Sequence, residues 1–238
     1  MTSSNQQFMA QGTIRSPGAG FRQRPGDASA MAVAVFIILD ATGSMAELIA
    51  GVVKALLRFT ELLCESNLKP LMGLVVFRDQ TYGEKTLVMP LGTAPEEIRE
   101  VLRHTKADGG HDDPESALPA IMHAIEGFQL TPAGAKKVIL QISDAPPHDP
   151  EAGYTSANVL AAMMQCRVIY FACTPPIPPY TKFANATGGT LFPLEENLDS
   201  EAFKDVLLAV ARQTIETIRR DGPVLTDEAL QALRGISE

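Results

Sequence analysis

The sequence predicts an α/β fold, a doubly wound and mostly parallel sheet flanked by helices, on three observations. Val33-Ala-Val-Phe-Ile-Ile-Leu39 is an unbroken apolar run, the pattern of a strand buried on both faces. Apolar runs of this kind alternate along the chain with stretches of helical periodicity. Two of the runs end in an aspartate, Asp40 and Asp144, which puts carboxylates at the sheet edge where open α/β proteins bind ligands.

The elements follow in order. The first strand, 33–39, leads to a helix over 45–65, in which Leu48, Val52, Leu56, Phe59 and Leu63 form a core-facing stripe. A strand over 71–77 and a short strand over 86–89 precede a helix over 95–103. The next helix, 114–128, turns Leu118, Ile121, Met122, Ile125 and Phe128 inward. Asp113 directly precedes Pro114, the favoured first helical residue, and so reads as the N-cap; Glu115 in the first turn complements the helix dipole and reads as solvated. A strand over 137–142, a helix over 156–165 and strands over 168–172 and 190–193 continue the alternation. Between the last two strands, Thr174-Pro-Pro-Ile-Pro-Pro-Tyr180 has too few backbone donors for regular structure and is expected to be an extended loop. Gly188 and Gly189 supply a helix stop before the final strand. A last helix over 200–220 carries Phe203, Val206, Leu207, Val210, Ile215 and Ile218 at packing intervals and ends at Asp221-Gly-Pro.

Composition bounds the organisation. A chain of 238 residues with 45% hydrophobic residues supports one sizeable core, spanning residues 31–220. Residues 1–30, rich in Ser, Gln, Gly and Pro, lack the apolar centre of a signal peptide and read as a mobile tail. Residues 221–238 form an extension in which Thr226-Asp-Glu-Ala-Leu-Gln-Ala-Leu233 is a short capped amphipathic segment. The net charge of −8 opposes a nucleic-acid partner, which calls for a cationic face. No apolar run approaches the roughly 20 residues that cross a bilayer. The three cysteines, Cys64, Cys166 and Cys173, suit free thiols in a reducing compartment, so a cytoplasmic location without a membrane partner is expected.

The chemistry lies in three loops. Asp40-Ala-Thr42-Gly-Ser44 places hydroxyls two and four residues after a strand-end carboxylate, and hard oxygens converging in this way suit Mg²⁺. The same residue types also cap helices, so this motif by itself leaves a capping role open. The second loop is Asp108-Gly-Gly-His-Asp112-Asp113-Pro114-Glu115, and the third, Asp144-Ala-Pro-Pro-His148, follows a strand. Taken together, these loops resemble the von Willebrand factor A (vWA) family, whose metal-ion-dependent adhesion site joins a D-x-S-x-S loop, a threonine and a further aspartate. Thr42 replaces the first serine and Asp144 matches the last aspartate, while Asp112 occupies the usual threonine position. Gly109-Gly-His-Asp112-Asp-Pro-Glu115, Phe77-Arg78-Asp79 and Asp144-Ala-Pro-Pro-His148 are similar to the variant found in α-kinase-associated and related intracellular branches. The resemblance implies a single Rossmann-like vWA domain with residues 86–89 antiparallel at the sheet edge. It also implies Asp40, Thr42, Ser44, Asp112 and Asp144 as ligands of Mg²⁺, with Mn²⁺ or Ca²⁺ as alternatives. His111 and His148 near the rim read as surface residues, and His104 and His123 have no motif support.

What the resemblance implies for function is a non-enzymatic adaptor, binding a partner protein through the cation and working beside AAA+ ATPases, proteases or kinases. Three ionised carboxylates around Mg²⁺ leave a charge of about −1, and one extra charge roughly 5 Å away opposes an incoming carboxylate by about 3 kcal/mol at an effective dielectric near 20. A partner offering a neutral oxygen or a compensating cation is therefore favoured, or else a structural cation with weak ligand capture. Two other classes compete: a metal-dependent hydrolase or phosphotransfer enzyme, and a scaffold whose cation is purely structural. The enzyme reading lacks a G-x-x-x-x-G-K-[ST] loop, a G-x-S-x-G elbow and a D-x-D pair.

Overall fold

The computed structural model describes residues 33–65, 70–110, 114–131 and 134–194, together with 205, 208–210, 212, 213, 215 and 216. The expected tail, 1–30, and extension, 221–238, lie outside the described residues.

A six-stranded sheet forms the centre, built from β1 (Val33–Asp40), β2 (Leu71–Phe77), β3 (Leu87–Met89), β4 (Lys136–Ile142), β5 (Val168–Thr174) and β6 (Leu191–Pro193) in the order β3-β2-β1-β4-β5-β6. All pairings are parallel except that of β3, which returns antiparallel along β2. Every residue of β1 is buried, as its continuous apolar run requires of a strand covered on both faces. The register sets Asp40 beside Phe77 and Leu39 beside Ile142. The residues that follow β1, β2 and β4 therefore emerge side by side at one edge.

Helices cover both faces. A 3₁₀ turn, Gly43–Glu47, leads into α1 (Ile49–Glu65), which with α2 (Pro95–His104) packs on one face. Val33, Val35, Ile37 and Leu39 point to this layer, as do Val52, Leu56, Phe59 and Leu63 of α1, and Val210 of the C-terminal helical residues joins them. Ala34, Phe36 and Ile38 point the other way, towards α3 (Ala117–Gly127), α4 (Ser156–Gln165) and α5 (Pro178–Thr187). Phe36 anchors this second core. It meets Phe128 edge to face at 5.2 Å, and a side-chain carbon at Gly73 or Gly127 would overlap its ring.

Two sequence expectations are corrected. The segment 174–180 is not wholly an extended loop, because α5 begins at Pro178 with proline in its first turn, where the missing N–H has no intrahelical partner to lose. Likewise α3 begins at Ala117 with Ser116 as N-cap, three residues later than Pro114, because the backbone of Glu115 is engaged by the third loop. The helix over 95–104, the helix over 156–165 and the stop at Gly188, with φ of 72°, match their expected positions. Cys64 is exposed, Cys166 half-buried and Cys173 buried, all as free thiols. Among the described residues no helix is long and apolar enough to cross a membrane.

Candidate metal centre

At the carboxyl edge, Asp40 is the last residue of β1 and fully buried. Its Oδ1 accepts from the Thr42 amide at 2.9 Å and from Thr42 Oγ1 at 2.6 Å, and its Oδ2 accepts from Ser143 Oγ at 2.6 Å. Ser44 Oγ donates to Asp144 Oδ1 at 3.0 Å and lies 3.2 Å from Thr42 Oγ1. Thr42 stands at the N-cap of the 3₁₀ turn but makes no side-chain capping bond. Instead the Thr42 hydroxyl donates its one proton to Asp40 and the Ser44 hydroxyl donates its own to Asp144. Each of these two oxygens, 3.2 Å apart, keeps its lone pairs for accepting. Thr42 and Asp40 form a buried floor, Ser44 is exposed, and Asp144 is half-buried at the rim.

The second loop is drawn over this floor. Gly43 N donates to Gly109 O at 2.8 Å and Asp108 N to Ala41 O at 3.0 Å, while Arg78 holds the carbonyls of Asp108 and Lys106, each at 3.0 Å. The approach is so close that a side-chain carbon at Gly110, whose φ is +68°, would lie 2.9 Å from both Glu115 Oε1 and Thr42 Cβ. His111, Asp112 and Asp113 lie outside the described residues, and so does the reading of Asp112 as a ligand; Asp113 is not the cap of α3, whose N-cap is Ser116.

Glu115 is the residue that sequence reasoning misjudged. It is not a solvated helix-dipole partner, because it is 2% exposed with its carboxyl beside Thr42. Its backbone bridges to the third loop, with Glu115 N donating to Pro146 O at 2.8 Å and His148 N to Glu115 O at 3.0 Å. Burial, reinforced by the charges of Asp40 and Asp79, pushes its carboxyl up to about 8. Burial likewise pushes Asp40 up to about 6, against the opposing hydrogen bonds from Ser143 and Thr42.

Beneath this level the loops are tied by a second polar cluster. Asp79, just beyond β2, is fully buried and its Oδ1 accepts from Thr81 N at 2.8 Å and Thr81 Oγ1 at 2.5 Å. Burial pushes Asp79 up, but these bonds outweigh it and hold the carboxyl below its usual value. Ser116 Oγ accepts from Gln80 N at 2.7 Å, donates to Glu151 Oε1 and lies 3.3 Å from Asp79 Oδ1. His148 is not a plain surface residue, since its Nε2 lies 3.7 Å from Asp79 Oδ1 and its side chain is 19% exposed. The motif Phe77-Arg78-Asp79 held the available signal: a charged pair directly after a buried strand, as with Asp40 and Asp144.

The donor set suits a hard divalent cation. Glu115 Oε2 is buried without a hydrogen-bond partner, and Asp40, Glu115 and Asp144 gather negative charge around two hydroxyl oxygens. Among the described residues no three His, Cys, Asp or Glu side chains form a metal-holding group by themselves. Oxygen-only donors of this type fit Mg²⁺, Mn²⁺ or Ca²⁺ and have no need of imidazole.

Comparison with known proteins agrees with this architecture. The family described as the von Willebrand factor A domain matches residues 34–196. No curated protein matches the chain. Among solved structures, an aerotolerance-related membrane protein from Bacteroides fragilis shares 14% identity with a TM-score of 0.53, over 76% of this chain and 99% of its own. The SpRpn10 VWA domain shares 10% identity with a TM-score of 0.56, over 74% of this chain and 93% of its own. A pilus adhesin, SpaC from Lactobacillus rhamnosus GG in an open conformation, shares 13% identity with a TM-score of 0.57, over 79% of this chain but 30% of its own. At these identities the likeness concerns the fold.

Proposed function

As this chain belongs to the von Willebrand factor A domain family, we propose that it is a non-enzymatic interaction module that recruits a partner protein through a divalent cation, Mg²⁺ first. Asp40, Thr42, Ser44 and Asp144 would hold the ion, with Asp112 as a further ligand from the second loop and Glu115 supplying charge from beneath. The observation that carries the reading is the hydroxyl arrangement: Thr42 donates to Asp40 and Ser44 to Asp144, which leaves two neutral oxygens 3.2 Å apart with lone pairs available to a cation. When bound, the cation supplies a Lewis-acidic position open to an oxygen from outside the chain.

The chain's own residues set what that oxygen can be. Ser44 and Asp144 stand at the rim, so the approach is from solvent, whereas Asp40 and Glu115 close the floor. Asp40, Glu115 and Asp144 already outweigh one divalent charge when all are ionised, and Asp112 adds to the excess. This surplus disfavours a bare carboxylate and favours a neutral oxygen, or a carboxylate accompanied by an Arg or Lys. The second polar cluster keeps the three loops in place: Asp79 and Ser116 connect β2 to the second loop, and Glu115 connects that loop to the third. The setting we propose, a cytoplasmic adaptor acting beside an AAA+ ATPase, protease or kinase component, is carried by the family resemblance.

The test is affinity capture from source-cell lysate in Mg²⁺, in EDTA, and with a folded Asp40→Ala, Ser44→Ala protein. A partner recovered only by the wild type in Mg²⁺ supports the proposal. Equal recovery in all three lanes overturns it.

A further inference from the structure

We infer that the groove between α1 and the end of α2 is the docking site of this chain's own residues 224–233. The groove holds about 530 Å³ and has an apolar floor that includes Ile49, Val53 and Leu57 of α1. Lys54, Arg103 and Lys106 stand around it, Arg103 already paired with Glu100 at 3.1 Å, and among the described residues no acidic side chain lines it, in a chain whose net charge is −8. An apolar trough with a cationic rim selects an occupant that is apolar on one side and acidic on the other.

Residues 1–32 and 217–238 both lie outside the described residues, and their charges differ. Residues 1–32 hold Arg15, Arg22 and Arg24 against Asp27, which the rim repels. Residues 221–238 hold Asp221, Asp227, Glu228 and Glu238 against Arg234. Within them Leu230 and Leu233 stand three positions apart in sequence, following Val224 and Leu225, with Asp227 and Glu228 between the two apolar pairs. The reach is sufficient. Ile215 packs on the same core layer as Ile49, Val53 and Leu57. With the expected helix running to residue 220, the steps from Glu216 to Thr226 span up to about 26 Å, comparable with the roughly 25 Å length of the 17-residue α1. The groove begins at Ala46, just after Ser44, so the docked segment covers the flank of α1 next to the metal-facing loop.

Hydrogen–deuterium exchange of the full chain tests this docking independently of metal binding. Amides of residues 224–233 are expected to exchange at least about tenfold faster in Lys54→Glu, Lys106→Glu than in the wild type. Lys182→Glu, on the opposite layer, should leave their exchange unchanged, and adding Asp227→Lys, Glu228→Lys to the first pair should restore protection. Thermal melts of each variant establish that the domain remains folded. Fast exchange of 224–233 in the wild type, or protection that survives reversal at Lys54 and Lys106, overturns the inference. Protection that rises with protein concentration also overturns it, because the occupant is then a second copy.

Discussion

Glu115→Gln isolates the electrostatic load at the candidate metal centre. The substitution keeps the size and hydrogen-bonding shape of the side chain and removes only its titration. In the metal-free wild type, burial and neighbouring carboxylates raise Glu115 from its usual 4.5 to about 8. A carboxyl raised on folding is bound to a proton more tightly in the folded chain than in the unfolded one. Its stabilising contribution is therefore complete below about pH 4.5 and is lost as pH climbs to about 8. At about 1.4 kcal/mol per pKa unit the loss is at most about 5 kcal/mol. For a domain of this size that corresponds to roughly 10–15 °C in Tm. Metal-free Glu115→Gln is thus expected to melt well above the wild type at pH 8 and to match it near pH 4.5. Saturating Mg²⁺ should narrow the gap at pH 8, because the cation offsets a charge that only the wild type carries. Scanning calorimetry between pH 4.5 and 8, with EDTA and with Mg²⁺, reads both effects. A variant that melts at or below the wild type in EDTA at pH 8 refutes the reasoning.

Three further outcomes follow from the geometry. Thr42→Val removes the hydroxyl that donates to Asp40 at 2.6 Å while keeping the branched shape, and should lose most of the Mg²⁺-induced rise in Tm; an unchanged rise on titration with Mg²⁺ counts against Thr42 as a ligand. Asp79→Ala strips the acceptor from Thr81 N and Thr81 Oγ1 and should lower stability by about 1–3 kcal/mol, read as a shift in urea midpoint with constant m. Phe36→Ala empties the space between Gly73, Gly127 and Phe128 and should cost about 3–5 kcal/mol in the same assay.

The readable parts of this chain are those whose signal is local. The apolar run of β1 and the following Asp40, Thr42 and Ser44 are contiguous, so the strand and one loop of the site could be inferred together. Glu115 could not, because its burial depends on a backbone bridge to Pro147, more than thirty residues later, which no local pattern announces. Proline shows the same limit from both sides. Pro114 precedes a helical pattern but belongs to that bridging segment, whereas Pro178 sits in a proline-rich stretch yet does begin a helix. In each case local chemistry permits the first turn of a helix, and tertiary pairing decides whether it forms. The hydroxyl commitments at Thr42 and Ser44 were equally invisible in sequence, where capping and ligation call for the same residues.

The hydrogen bond from Ser143 to Asp40 joins positions 103 apart, and β1 pairs with β4 across the same distance. During synthesis the most apolar strand of the protein gains its first neighbour when β2 appears, but its other edge has no β4 to meet for some sixty residues more. At ~5–20 residues per second, that edge stays open for about 3–12 s on each ribosome. The centre of the sheet therefore presents an open apolar edge while the nascent chain grows, and the candidate site at its carboxyl edge cannot be assembled until Asp144 has been made.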